Sequence, residues 1–178
     1  MSTQQSPSAS IDQGTIGGES RAGKYLTFQL AGQDYGITIL SVREIIALQD
    51  ITPIPAGPSF LEGVINLRGR IIPIIDLRVR LSFSAGERNE RTCIIVTEIE
   101  HEDEGVLQVG CIVDTVSEVR NIGAEEIEPP PELGAGVDMS SILGMAKFDE
   151  CGKVVSLLDI QRVLNSLGGM SVPQAIGS

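Results

Sequence analysis

The stretch GVINLRGRIIPIIDL at residues 63–77 occurs a second time, in altered form, as GMAKFDECGKVVSLLDI at residues 144–160. Upstream of it, GITILSVREI at residues 36–45 recurs as GCIVDTVSEV at residues 110–119, in the same order along the chain. The pattern predicts an internal duplication. Features common to both copies are expected to be scaffold, and features confined to one copy are candidates for function.

One turn differs between the two copies. In the first copy Arg68 is the single residue before the turn glycine, Gly69, whereas the second copy has three residues, 149–151, before its glycine, and two of them are acidic. Arg68 therefore has no counterpart. It is either an ordinary solvent-facing turn residue or the centre of a functional site, and we favour the site because the second copy makes the turn without it.

Asp76 and Asp159 occur at the same place in both copies, each before an apolar segment with helical spacing. An aspartate in this position accepts hydrogen bonds from the free N–H groups at the start of a helix. We therefore interpret both acids as helix N-caps and not as catalytic groups. The helix after Asp159 is predicted to be the longer of the two and to lie near the C-terminus.

Alternating apolar and polar residues indicate strands along much of the chain. Residues 24–30 and 35–39 alternate on either side of a turn at residues 31–34, and residues 92–96 and 107–113 form the corresponding pair in the second copy. Many short strands separated by Gly and Pro turns are typical of an all-β fold. We predict two small β-barrels packed together, with a short C-terminal helix.

The duplication also suggests domain boundaries. The first barrel is predicted at about residues 24–90 and the second at about residues 91–167, and the pattern allows strands to be exchanged between the barrels. Residues 1–23 are rich in Ser, Gln, Gly and Thr, so they are predicted to be a disordered tail, as are residues 168–178.

Composition points to a soluble intracellular protein. Apolar residues make up 42% of the 178 residues but aromatic residues only 3%, so the core is expected to be aliphatic. The N-terminus lacks the basic start and apolar run of a signal peptide, and no segment approaches the roughly 18 apolar residues of a membrane span. The three cysteines are odd in number and lack CxxC spacing, which fits a reducing cytoplasm.

Charge is unevenly distributed. Residues 59–91 hold six arginines and four acids, whereas residues 97–150 hold fourteen acids and only two cations. The formal net charge of -11 argues against nucleic acid as a partner, because phosphate binding requires clustered cations. Six scattered aromatic residues also fail to provide the stacking platform of a barrel that binds single strands.

Catalytic and metal-binding patterns are absent from the sequence. His101 is the only histidine, and it stands in the charged segment EHEDE at residues 100–104, so a solvated loop is favoured over a metal site. There is no GxSxG motif and no phosphate-binding glycine loop followed by Lys and Ser or Thr. We predict no catalytic residues, no metal ligands and no cofactor.

Four sequence motifs resemble those of one protein family. GVINLRGRIIPIIDLR at residues 63–78 resembles the signature of the CheW-type chemotaxis coupling proteins, and so do YGI at residues 35–37, VREI at residues 42–45 and VDTVSEV at residues 113–119. The resemblance covers about residues 24–167.

The resemblance implies two five-stranded barrels of the SH3-like or OB-like kind around a shared aliphatic core. It also implies a non-enzymatic adaptor that couples chemoreceptors, the methyl-accepting chemotaxis proteins, to the CheA histidine kinase. Such an adaptor binds the cytoplasmic tip of the receptor and the regulatory domain of the kinase. It is cytoplasmic, is recruited to membrane-associated receptor clusters, and involves neither nucleic acid nor membrane insertion. An adaptor of a sister pathway, such as surface or pilus motility, is the alternative.

The resemblance also assigns residues to receptor binding. Arg68 is expected at the receptor-binding surface, where its guanidinium can bridge carboxylates on a receptor helix. The complete predicted receptor-binding set is Arg68, Val42, Glu44, Ile45, Asn66 and Gly69. Glu44 is repeated in the second copy as Glu118, so its role is balanced between scaffold and binding. The residues that bind the kinase are left open.

Overall fold

A computed structural model describes residues 21–131, 139–148 and 152–165 of the chain. Strands account for most of these ranges, and the helices are short. The strands are β1 (Gly23–Leu30), β2 (Gln33–Thr38), β3 (Val42–Ala47), β4 (Leu61–Leu67), β5 (Arg70–Asp76), β6 (Cys93–His101), β7 (Gly105–Val113), β8 (Thr115–Ile122), β9 (Ile127–Glu128), β10 (Ile142–Phe148) and β11 (Lys153–Leu158). The α-helices are α1 (Leu77–Arg80) and α2 (Ile160–Asn165).

The strands form two sheets that correspond to the two predicted barrels. The central barrel has the strand order β3-β6-β7-β5-β4, and the terminal barrel has the order β8-β1-β2-β11-β10-β9. Each contains one parallel pair, β5 with β7 and β2 with β11, among antiparallel ones. The predicted all-β class is confirmed, although the two-residue strand β9 gives the terminal sheet six strands where the resemblance implied five.

The barrels exchange hairpins between the two copies of the repeat. The central barrel combines β3, β4 and β5 of the first copy with the β6–β7 hairpin of the second, and the terminal barrel combines the β1–β2 hairpin of the first copy with β8 to β11. The sheet order thus shows the exchange of strands that the sequence pattern allowed, and each sheet contains strands from both sides of residue 90. The repeat identifies equivalent segments, but the period-two pattern of a strand carries no information about which distant strand lies beside it.

Three apolar clusters hold the fold together. One lies within the central barrel and includes Ile74 and Ile94, and a second lies within the terminal barrel and includes Tyr25 and Leu157. The largest lies between the sheets, because the opposite face of β1 joins it to strands of the central barrel and to α2. Its buried members are Leu26, Phe28, Leu30, Ile37, Ile75, Leu77, Ile95, Ile99, Leu107, Val109, Cys111, Val113, Leu158, Ile160, Val163 and Leu164.

The described residues include the last part of the predicted N-terminal tail. Gly23 pairs with Ile122 of β8, and the Arg21 guanidinium donates a hydrogen bond to the carbonyl of Leu143. These backbone partners come from distant strands, so local composition did not reveal them. The remainder of that tail, and residues 168–178, lie outside the described residues. In the described part of the chain, no helix has the length and apolar character that crossing a membrane requires.

Candidate protein-binding surface around Arg68

Arg68 lies at the tip of the β4–β5 hairpin. Leu67 pairs with Arg70, which leaves Arg68 and Gly69 as a two-residue loop. Their φ angles are +52° and +87°, as in a type I′ turn, whose twist matches that of the flanking strands. The Asn66 side-chain oxygen accepts the Gly69 N–H at 2.8 Å. Asn66 and Gly69 therefore build the turn that presents Arg68.

The Arg68 guanidinium is paired with Glu44 of β3. Arg68 Nη1 donates to Glu44 Oε2 at 2.6 Å, and Arg68 Nη2 donates to Glu44 Oε1 at 2.7 Å. The arginine side chain is 69% exposed and the glutamate side chain 29% exposed. Hydrogen bonding from Arg68, aided by the charges of Arg68 and Arg43, lowers the pKa of Glu44. The pair is therefore ionised at neutral pH, and it ties the hairpin tip to strand β3.

Val42 and Ile45 are near this site because they lie on strand β3 together with Glu44. Val42 is half-buried and packs against the cluster between the barrels, whereas Ile45 is 43% exposed. Side chains alternate along a strand, so Ile45 points to the face opposite to Glu44. The structure thus pairs Arg68 with Glu44 and Gly69 with Asn66 at the hairpin tip, and it places Val42 and Ile45 on the strand of Glu44, with Ile45 on the opposite face.

The second copy repeats part of this surface. Glu118 is equivalent to Glu44, but it pairs at 2.9 Å with Arg120 of its own strand. Val119, the equivalent of Ile45, is 49% exposed. Val119 lies on β8 of the terminal barrel and Ile45 on β3 of the central barrel, so the two equivalent positions belong to different barrels.

The described residues provide little for catalysis. No group of three or more His, Cys, Asp or Glu in this part of the chain is placed to hold a metal ion. His101 Nδ1 accepts a hydrogen bond from the N–H of Asp103, two residues along. Burial raises the pKa of the Cys111 thiol to about 12 and also raises that of Cys93. Both thiols are therefore protonated at neutral pH, and the thiolate is the reactive form.

Comparisons with known proteins identify the family. The family model of the CheW-like domain matches residues 24–168. The chain is 37% identical over 151 residues to the chemotaxis protein CheW of Klebsiella aerogenes, covering 85% of this chain and 87% of that protein. It is 31% identical over 141 residues to the chemotaxis protein CheW of Rhizobium meliloti, covering 79% of this chain and 86% of that protein.

A solved structure supports the same assignment. The crystal structure of the scaffolding protein TtCheW from Thermoanaerobacter tengcongensis matches with a TM-score of 0.69 and 37% sequence identity, covering 80% of this chain and 92% of that one. The resemblance noted in the sequence is thereby confirmed. The chain belongs to the CheW-like family of chemotaxis coupling proteins.

Proposed function

We propose that this chemotaxis coupling adaptor binds the cytoplasmic tip of chemoreceptors through the surface around Arg68, and binds the regulatory domain of a CheA-type histidine kinase through a separate surface. The observation that carries the receptor assignment is the Arg68–Glu44 pair, because Arg68 stands at a hairpin tip and has no counterpart in the second copy of the repeat. The family and its named relatives support the adaptor role.

The pair changes how Arg68 is expected to act. A guanidinium has five N–H donors, and Glu44 uses only one on each terminal nitrogen. The remaining donors stay available to a carboxylate on a receptor helix. Because Glu44 already orients the long arginine side chain, binding costs less side-chain entropy than it would for a freely rotating arginine. Glu44 is therefore part of the site as the residue that orients Arg68.

Apolar contacts complete the proposed surface. Ile45 is exposed on strand β3, and an exposed apolar group of this kind can pack against the apolar face of a partner helix. Val42 contributes from the margin of the cluster between the barrels.

The proposal includes further expectations. The protein acts without catalysis or cofactor, as a cytoplasmic component recruited to membrane-associated receptor clusters. A role in a sister sensory pathway is not favoured, since the relatives described above are named chemotaxis proteins. Identifying the kinase captured by the purified protein would separate the two pathways.

Isothermal titration with two ligands tests the surface. The ligands are a receptor-tip fragment and the regulatory domain of the kinase, and the variants are Arg68→Ala and Lys147→Ala. Lys147 is a matched control because it is 67% exposed, lies in the equivalent hairpin and pairs with Glu128 at 3.2 Å. We expect Arg68→Ala to weaken receptor binding by about 5- to 150-fold, as for a central interface arginine, and to leave kinase binding unchanged.

Two outcomes would contradict the assignment. Unchanged receptor affinity of Arg68→Ala would remove this arginine from the surface. A similar loss in Lys147→Ala would show that any exposed cation near a hairpin tip has the same effect, and therefore that the contact is non-specific.

A further inference from the structure

The chain crosses between the two barrels at two places within the described residues. The first crossing is the 3₁₀ turn Ile39–Ser41, which links β2 to β3. The second is the single residue Asp114, which separates β7 from β8. Only this one residue lies between two strands that belong to different barrels.

Asp114 contacts both barrels. Its Oδ2 accepts the N–H of Ala31 at 2.8 Å, and its own N–H donates to the carbonyl of Gln29 at 3.1 Å, so it is tied to the β1–β2 turn of the terminal barrel. On the other side, its Oδ1 lies 3.3 Å from Arg78 Nε of α1, which follows the last strand of the central barrel's β4–β5 hairpin.

Arg78 is held firmly in place for this contact. Its backbone N–H donates to the Asp76 cap at 3.0 Å, and its Nη1 donates to the carbonyl of Ser84 at 3.3 Å. Gly86 closes over the guanidinium so tightly that a Cβ there would lie 1.7 Å from Nη1. The Arg78 side chain is only 20% exposed, and its Nε is buried with no geometrically proper hydrogen bond within the described ranges. The Asp114 carboxylate is thus the anion that faces it.

The other copy of the repeat lacks this arrangement. Leu40 stands where Asp114 does in the repeat, and it is 88% exposed. Gln161 stands where Arg78 does, and its amide group exchanges two hydrogen bonds with the backbone of Glu100, at 2.9 and 2.6 Å. The crossing residue is therefore held by charge in one copy and exposed in the other.

We propose that Asp114 and Arg78 form a charged clamp that sets the angle between the two barrels, and that they act as positioning residues for surfaces they do not touch. Apolar burial between the sheets is favourable but non-directional, so it brings the barrels together without specifying a unique rotation by itself. Hydrogen bonds depend on direction, and Asp114 makes two of them to the terminal barrel at the shortest connection between the sheets, where its carboxylate also attracts Arg78 of the central barrel. The orientation of binding surfaces on different barrels follows from this angle.

Residual dipolar couplings of the full chain test the clamp without any partner. Backbone N–H couplings are measured in a dilute aligned medium and fitted separately for the central barrel and for the terminal barrel. The variants are Asp114→Ala, which removes both side-chain contacts, and Asp114→Asn, which keeps an oxygen for Ala31 but removes the charge. Glu98→Ala is the matched control, because Glu98 is also 34% exposed and pairs with Arg43 at 3.0 Å inside one barrel.

We expect one alignment tensor to fit both barrels in the wild type and in Glu98→Ala. In Asp114→Ala and Asp114→Asn, the tensors of the two barrels should differ in magnitude and direction. A single shared tensor in Asp114→Asn would overturn the proposal, since the charged contact with Arg78 would then not set the angle. Asp114→Asn retains the contact with the turn, so it serves as the folded test if Asp114→Ala fails to fold.

Discussion

Asp76 and Asp159 occupy equivalent positions in the repeat but should contribute very differently to stability. Asp76 Oδ1 accepts the Arg78 N–H at 3.0 Å, and Asp76 Oδ2 accepts a hydrogen bond from Arg88 Nη2 at 3.2 Å. The Asp76 side chain is 4% exposed. Asp159 accepts the Arg162 N–H at 3.2 Å, but its ion pair with the Arg162 side chain is long, at 3.6 Å, and open to solvent. The perturbation is replacement of each aspartate by alanine.

The structure sets the expected magnitudes. Loss of an N-cap costs about 1 kcal/mol, and this applies to both positions. Asp76→Ala also removes a part-buried hydrogen bond between two charged groups, which costs about a further 1.5–3 kcal/mol. An exposed ion pair such as that of Asp159 adds little. We expect losses of about 2.5–4 kcal/mol for Asp76→Ala and about 1 kcal/mol for Asp159→Ala.

Urea unfolding followed by circular dichroism measures both losses, because the shift of the midpoint at constant slope gives the change in the free energy of unfolding. Asp76→Asn serves as a control that keeps an acceptor oxygen for the cap without the negative charge, and it should lie between the wild type and Asp76→Ala. Equal losses for Asp76→Ala and Asp159→Ala would refute the reasoning, since they would show that the part-buried contact with Arg88 contributes nothing.

Two further predictions concern the hairpin exchange and a buried thiol. We expect no cooperative unfolding transition from fragment 24–90 or from fragment 91–167 alone, because each barrel needs a hairpin from the other fragment. Mixing the two fragments should restore a cooperative transition. A well-dispersed NMR spectrum from either fragment alone would contradict this. The second prediction follows from the Cys111 thiol, whose pKa rises from 9.0 to about 12 on folding. Between these pH values only the unfolded chain releases the proton, so this thiol makes stability fall by about 1.4 kcal/mol per pH unit as pH rises. The wild type should therefore lose more stability than Cys111→Ala from pH 9 to 12 in urea unfolding, and parallel curves would argue against it.

Local features of the fold could be predicted from the sequence. The hairpins were visible because alternating side chains and turn residues are neighbours along the chain. The interpretation of Asp76 and Asp159 as N-caps is confirmed, because their carboxylates accept hydrogen bonds from the backbone N–H groups of Arg78 and Arg162. Such contacts join residues two or three positions apart, so a short segment of sequence contains all the residues needed to predict them.

The candidate site could be predicted only in part. Arg68 stood out in the sequence because the second copy of the repeat has no residue equivalent to it. The role of Gly69 in the turn follows from its positive φ. The resemblance to the family assigned Glu44 to the receptor-binding set, but it did not predict that Glu44 forms an ion pair with Arg68. That contact joins residues 24 positions apart, and it exists only because β3 and the hairpin tip meet in the folded barrel.

The sequence by itself was sufficient to identify the duplication, the all-β class, the strand hairpins, the helix caps and the family. Each of these features depends on residues that are neighbours along the chain or on motifs that recur in it. The tertiary structure alone decided which hairpin completes which barrel, that Glu44 orients Arg68, and that Asp114 joins the two barrels at a one-residue crossing. The reason is physical: a strand satisfies its backbone hydrogen bonds with any partner of suitable register, and side-chain pairs across strands depend on that choice. The strand pairing observed is one that buries apolar groups from both copies in a shared cluster.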